Sequence, residues 1–366
     1  MADVPSPLEA EIRRRIAQHG PMPVAQYMEL CLTHPEHGYY ITRDPLGSSG
    51  DFTTSPEISQ MFGELIGIWA AAAWRTMGSP EKVRLVELGP GRGTLMLDAL
   101  RASKVLPEFR AAVVAHMVEV SPVLETLQRL ALGASDVPVH WHKSLGEVPD
   151  GPLIVIANEF FDALPVRQAV MCADGWHERV VKISEDGKLH FSIARDPDPQ
   201  VEEFLPADMR PARIGEIFEW RAEQMVLELS ERVVRSEGVA LIIDYGHVVS
   251  SIGDTLQAVG AHQFADPLSA PGRVDLTAHV DFEALARAAE SLHAQVQGPV
   301  EQGKFLHRLG IEQRAAALKS GAPHDQAVEI QSALVRLTNA EPTGMGRMIK
   351  VLGLSAPDLG ALPGFE

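Results

Sequence analysis

Val86-Glu87-Leu88-Gly89-Pro90-Gly91-Arg92-Gly93-Thr94 is the stretch on which the fold turns. The apolar run Val83–Leu88 reads as a short buried strand, and Thr94–Ala102 reads as a helix. Gly89–Gly93 must therefore swing the chain sharply from one into the other. Glycine suits such a turn because the backbone can approach a ligand where a side chain would collide. Glycines at i, i+2 and i+4 behind an acid differ from the dinucleotide fingerprint G-x-G-x-x-G, whose third glycine position holds Thr94 here. No Gly-Lys-Ser/Thr ending follows, which excludes a P-loop.

Working outward, Val113–Val120, Val137–His142, Leu153–Ala157 and Val239–Asp244 read as further strands. Several are apolar on both faces and are separated by helical stretches, the pattern of a parallel sheet covered on both sides. Upstream, Leu8–His19 and Pro23–Leu32 read as helices, and Gly47–Thr54 as a loop. Ser55-Pro56-Glu57 reads as a helix start with Ser55 as N-cap. That helix runs through Ile58–Met77, with Met61, Leu65, Ile68, Trp69 and Ala72 on its apolar face. Residues 1–80 are expected to form an N-terminal helical cap and 81–366 the sheet domain. An inserted lobe at about 164–237 interrupts that domain, with strands Val166–Met171, Glu178–Ile183 and Lys188–Ile193 and a helix over Ile217–Ser236. The tail adds helices at about 300–345, Ile311–Leu318 and His324–Thr338 among them, and a last edge strand at Met348–Leu354. The fold class is α/β and Rossmann-like.

The chain has 366 residues, is 45% hydrophobic and carries a net charge of −17. So acidic a surface repels phosphate backbones, which argues against a nucleic-acid partner. Cys31 and Cys172 build neither a disulfide framework nor a CxxC site. Asp3, Glu9 and Glu11 lie near the start with no apolar run, so no signal peptide is expected. No apolar run approaches the roughly 20 residues of a membrane span. These features predict a soluble, cytoplasmic enzyme. Cys31, His34 and His37 have ligand-like spacing, but Pro35 breaks the helix and a fourth ligand is missing, so no metal is expected. Without G-x-S-x-G an α/β-hydrolase is unsupported.

The acidic-x-Gly-x-Gly-x-Gly form resembles the class I methyltransferases, in which the carboxylate before the loop helps hold the methionine end of S-adenosylmethionine. In this chain that acid is Glu87. Glu119, within Val118-Glu119-Val120-Ser121-Pro122, stands at the end of the second strand, where an acid can accept hydrogen bonds from ribose hydroxyls. The alternative is an acid at the N-terminus of the next helix, favoured by its dipole. Ligands of open α/β sheets sit at the carboxyl ends of the strands. Asn158-Glu159-Phe160-Phe161-Asp162-Ala163-Leu164-Pro165 follows the fourth strand, and it differs from the Pro-Pro-aromatic signature of amino-methylating DNA enzymes. Glu159 and Asp162 suit a cationic nitrogen acceptor, since paired carboxylates match a guanidinium and can take its proton. Alternatively they are acids at a helix start with Phe160 and Phe161 in the core. Asp244-Tyr245-Gly246-His247 brings an acid and an imidazole to the same edge, with His247 a candidate proton acceptor.

Gly50-Asp51-Phe52-Thr53-Thr54-Ser55-Pro56-Glu57-Ile58-Ser59-Gln60, followed by Phe62-Gly63-Glu64, closely resembles the N-terminal signature of the MidA-like methyltransferases. The likeness continues through Glu87–Gly93, Glu119–Ser121, Asn158–Pro165, Asp244–His247, Asp275–Phe282 and Gln302-Gly303. It implies a class I methyltransferase fold with added helical and inserted segments. It also implies symmetric protein arginine N-methylation on a subunit of the respiratory NADH:quinone oxidoreductase, complex I, whose assembly the eukaryotic members serve in mitochondria. The mitochondrial matrix would be the compartment of those relatives. The implied cofactor-binding set is Gly50, Asp51, Thr53, Thr54, Ser55, Glu87, Gly89, Pro90, Gly91, Gly93, Glu119, Val120, Ser121 and Asn158, with the Gly50–Ser55 loop folding over the site. The candidate catalytic set is Glu159, Asp162, Asp244 and His247. Two other functions fit the same residues: methylation of a small molecule, and a non-catalytic assembly factor that binds the cofactor.

Overall fold

The structure is a computed structural model that describes residues 5–47, 50, 53–206, 209, 212–260 and 262–366. It forms two compact units, one of Thr53–Phe161, Glu223–Val248 and Phe282–Glu366, the other of Met1–Phe52, Asp162–Ala222 and Val249–Asp281. These units are drawn differently from the expected division. Residues 53–80 pack with the sheet unit rather than with a separate cap, and 249–281 join the inserted segment.

The sheet unit contains strands β1 (Val83–Leu88), β2 (Val113–Val118), β3 (Val139–His142), β4 (Leu153–Asn158), β5 (Val239–His247), β6 (Gln295–Glu301) and β7 (Ile349–Ser355). They lie in the order β6-β7-β5-β4-β1-β2-β3. β3, β2, β1, β4 and β5 are parallel, while β7 runs antiparallel to both β5 and β6. This is the class I methyltransferase arrangement. All six residues of β4 are buried, as a strand covered on both faces requires. Strand order reverses between β1 and β4, so a crevice opens past their carboxyl ends.

Helix α1 (Gln60–Thr76) buries Phe62, Leu65, Ile66, Trp69 and Ala73 in the core beside the sheet. Its face is rotated from the expected one, leaving Ile68 40% exposed. Helix α2 (Thr94–Ala102) packs directly on it: a Cβ on Gly67 would stand 2.5 Å from Ala99 Cα. The start of α1 also differs from expectation. Ser55–Ile58 is a separate helical turn, and extended Ser59 (φ −163°) caps α1 by accepting a hydrogen bond from Met61 N at 3.2 Å. Helix α3 (Pro122–Leu132) begins at the Ser121 cap, and α4 (Gln224–Arg235) precedes β5.

Two further expectations are corrected. The single helix over Ile217–Ser236 is instead a strand, Ile217–Arg221, followed by α4. Ile-Phe-Glu-Trp-Arg alternates with period two, and it pairs antiparallel with Val166–Cys172 in the other unit. The terminal strand is not an edge: β7 is buried along its whole length and β6 covers it.

The other unit holds antiparallel strands Met22–Pro23, Gly175–Ile183, Val166–Cys172 and Ile217–Arg221, with Leu189–Ile193 on Gly175–Ile183. Helices Pro7–His19 and Val24–Thr33 bury Leu8, Ile12, Tyr27 and Met28 in its core.

Candidate active site

The glycine loop leaves β1 at Gly89, whose N–H donates to Val118 O at 3.1 Å. Gly89, Gly91 and Gly93 all take left-handed backbone, with φ of +60°, +54° and +82°. Gly89 is exposed and Pro90 buried, so backbone rather than side chain faces outward at the turn. A Cβ on Gly89 would stand 2.8 Å from Phe160 Cδ2. Glu57 ties the preceding segment to this loop, accepting from Thr94 Oγ1 at 2.5 Å and pairing with Arg92 at 3.5 Å.

Glu87 is 3% exposed and lies beneath the first turn of α2, whose Met96 N–H donates to it. Burial, reinforced by the charge of Glu119, pushes its carboxyl up to about 8. Its Oε2 has no hydrogen-bond partner among the described residues. Asn158 Oδ1 is likewise buried and without a partner. The register sets Glu87 opposite Ile156, which places Glu87 and Asn158 on one face of the sheet two strand positions apart. These two orphaned oxygens call for a ligand that carries donors, to Asn158 Oδ1 and to Glu87 once it ionises, since an unpaired buried polar atom costs about 1–3 kcal/mol. The α-ammonium of S-adenosylmethionine is such a donor, and the residues fit it.

Glu119 follows β2 and is 5% exposed. Its Oε1 accepts from Ser121 N at 2.7 Å and its Oε2 from Gln128 Nε2 at 3.0 Å. Burial raises its pKa against the pull of these donors and of Lys143. The helix start is capped by Ser121 Oγ, which accepts from Leu124 N at 3.3 Å. Val120 is 51% exposed at the same bend.

Past β4, Glu159 has φ +47°, a left-handed conformation unusual for a side-chain-bearing residue. Its carboxylate accepts from Ser55 N at 2.9 Å and from Asn158 Nδ2 at 3.4 Å. Ser55 Oγ bonds Gln302 Oε1 at 3.2 Å, while Thr53 and Thr54 are half-buried beside it. Asp244 is fully buried in β5, with Oδ2 accepting from Phe160 N (3.1 Å) and Phe161 N (2.9 Å) and Oδ1 from Tyr245 N (2.9 Å). His247 ends β5, half-buried. The sheet unit therefore gathers Thr53–Ser55, the glycine loop, Glu119–Ser121, Asn158, Glu159, Asp244 and His247.

Asp162 and Gly50 belong to the other unit, and Asp51 lies outside the described residues. Asp162 is 5% exposed, and its carbonyl accepts from Ala278 N at 3.1 Å and from Arg221 Nη2 at 3.2 Å. Gly50 closes a turn, donating its N–H to Gly47 O at 3.0 Å. Gln128 was not anticipated. The signal for it was a polar residue in the apolar stripe Leu124, Gln128, Leu132 of α3.

The sheet order and the glycine turn define a methyltransferase of the Rossmann-like class. Residues 65–300 match a family described as "Putative S-adenosyl-L-methionine-dependent methyltransferase". The chain is 40% identical to the Drosophila melanogaster protein named protein arginine methyltransferase NDUFAF7 homolog, mitochondrial, over 95% of this chain and 84% of that one. It is 38% identical to protein arginine methyltransferase NDUFAF7, mitochondrial, of Homo sapiens, over 87% and 77%. A solved Burkholderia thailandensis protein bound to S-adenosyl-homocysteine is 29% identical, covers 100% of this chain with 98% of its own, and superposes with a TM-score of 0.85. The chain belongs to this S-adenosyl-L-methionine-dependent methyltransferase family.

With Glu87 proposed to hold the cofactor's α-ammonium, cofactor binding should depend on pH. Below about 8 its carboxyl is protonated. A cationic ligand favours the ionised form, so binding expels a proton. Affinity should rise with pH by up to about tenfold per unit until Glu87 ionises unaided. It should fall again as the ligand's own α-amino group, near ~7.7–8.0, loses its charge. Glu87→Gln should flatten the rising limb. Calorimetry in two buffers of different ionisation enthalpy counts the proton, and an equal heat in both would refute the assignment.

Proposed function

We propose that this enzyme methylates arginine side chains of a protein. What supports the reading most is 40% identity, across 95% of the chain, to a relative named as a protein arginine methyltransferase. S-adenosylmethionine supplies an electrophilic methyl on a sulfonium centre. Glu87, Asn158 and the glycine loop would hold its amino-acid end, and Glu119 its ribose, with Thr53–Ser55 of the same unit beside them. Holding methyl and acceptor nitrogen in line removes several kcal/mol of barrier.

Glu159 and Asp244 have carboxylates occupied by backbone N–H groups. We assign them to positioning the Asn158–Phe161 turn. His247, in the same unit as the glycine loop, is the proposed acceptor for the proton that the guanidinium sheds as its nitrogen attacks. The narrower reading is symmetric dimethylation on a respiratory complex I subunit. No helix among the described residues is long and apolar enough to cross a membrane. The curated relatives are named as mitochondrial, and a cytoplasmic place for this chain is part of the proposal.

Incubation with methyl-labelled cofactor and a cell lysate should put the label into protein, recovered on hydrolysis as methylarginine. Label confined to small molecules would overturn the arginine reading. Cofactor binding with no label transferred to any acceptor would favour an assembly factor.

A further inference from the structure

Gln128 is completely buried in the middle of α3, and both polar atoms of its side chain are hydrogen-bonded. Nε2 donates to Gly91 O at 2.8 Å and to Glu119 Oε2 at 3.0 Å, while Oε1 accepts from Trp141 Nε1 at 3.0 Å. The amide can face only one way. Trp141 offers a donor and nothing else, and the carbonyl and carboxylate offer acceptors and nothing else. Trp141 is itself held, with Arg129 stacked 4.0 Å from its ring centre and bonded to Glu125 at 2.7 Å. A Cβ on Gly93 would touch Gln128 Cγ at 3.4 Å, so the side chain also fills the space behind the loop.

These contacts join two segments that follow different strands. Gly91 belongs to the turn after β1, and Glu119 to the bend after β2. Ser121 N–H grips one carboxylate oxygen of Glu119 and Gln128 the other, so the group cannot rotate. A carboxylate has about four acceptor sites, so with the backbone N–H of Val120 also bonded one is left for a hydroxyl donor in a fixed direction.

We propose that Gln128 is a positioning residue for the cofactor ribose: it locks the Glu119 carboxylate in height and direction against the glycine loop, so that ribose hydroxyls meet a preset acceptor. The inference rests on the reading that Glu119 holds the ribose. It assigns Gln128 no contact with the cofactor and no part in the chemical step. Its contribution is preorganisation, which is felt only by ligands that carry the hydroxyls.

The test uses the full chain and two ligands, S-adenosylhomocysteine and its 2′,3′-dideoxyribose analogue, by calorimetry. Gln128→Met keeps the length and apolar bulk but removes both donors. It should weaken S-adenosylhomocysteine about tenfold and the dideoxy analogue by no more than about twofold. KM for S-adenosylmethionine should rise in step while kcat stays near wild type. Equal weakening of both ligands, or of neither, overturns the proposal, because a packing role does not sense the hydroxyls. Trp141→Phe removes only the donor that fixes the amide, and should cost about threefold on S-adenosylhomocysteine alone. It carries the same test if Gln128→Met does not fold. Glu119→Gln separates the two ideas. If it binds both ligands as wild type does, the ribose reading itself is wrong. If it discriminates between them and Gln128→Met does not, only the role of Gln128 falls.

Discussion

Gly89→Val should leave a folded protein that no longer binds S-adenosylmethionine. Gly89 holds φ +60°, where a β-branched residue is a genuine outlier. Forcing a side chain into that region costs about 1–2 kcal/mol. The new Cβ would also stand 2.8 Å from Phe160 Cδ2, a contact that obliges either the ring or the loop to move. Both costs fall at an exposed turn beyond the end of β1 and not in the core, so a native stability of about 5–15 kcal/mol absorbs them. Binding has no such reserve, because the proposed ligand must lie against this backbone with Glu87 and Asn158 behind it. Affinity should drop at least about a hundredfold, or ~3 kcal/mol. Gly78→Val is the matched control: Gly78 has φ +81° but nothing within 4 Å of its added Cβ. It should lower the melting temperature by a similar amount and leave binding intact. If Gly89→Val binds the cofactor as tightly as Gly78→Val does, the glycine loop is structural and the cofactor lies elsewhere.

How far the site was legible in the sequence follows from how local each signal was. Val83–Leu88 and Gly89–Gly93 could be read directly, because an apolar strand, an acid and three closely spaced glycines are constraints on adjacent residues. The parallel strands were legible for the same reason, and Glu119 followed from standing where the second of them ends. Signals that depend on distant partners were lost. Ile217–Arg221 looked helical because its period-two pattern is short and abuts the real helix Gln224–Arg235. Strand β6, Gln295-Val-Gln-Gly-Pro-Val-Glu, is too polar to announce itself, yet it covers the buried β7. Ser59 displaced Ser55 as the cap of α1, and Ser55 N was left to Glu159, a partner 104 residues away. Gln128 showed only as a blemish in an apolar stripe. What Asp244 does could not be read, since two of the three N–H groups it accepts from lie over 80 residues back along the chain.

That last residue gives the second large effect. Asp244→Asn should destabilise the fold by about 3 kcal/mol, because the carboxylate is fully buried and accepts three backbone N–H groups. An asparagine has one acceptor oxygen, so its NH2 must face at least one of those donors and leave it unpaired. The donors in question hold Phe160 and Phe161 immediately after Glu159, whose φ of +47° persists only while its surroundings fix it. Loosening the turn releases Glu159 from Ser55 N and Asn158 from its place beside Glu87. Cofactor affinity and turnover should therefore fall together, with a melting temperature lower by on the order of 5–10 °C. A general base would behave otherwise. Asn is close to isosteric with Asp, so removing a base that holds nothing would cut kcat, abolish one limb of its pH profile and barely move the melting temperature. Unchanged stability and unchanged cofactor affinity with a lost pH limb would make Asp244 the proton acceptor. A coupled loss of stability and binding, with the pH dependence of residual turnover retained, puts the proton acceptor elsewhere and makes the buried carboxylate the clamp that holds the Asn158–Phe161 turn in shape.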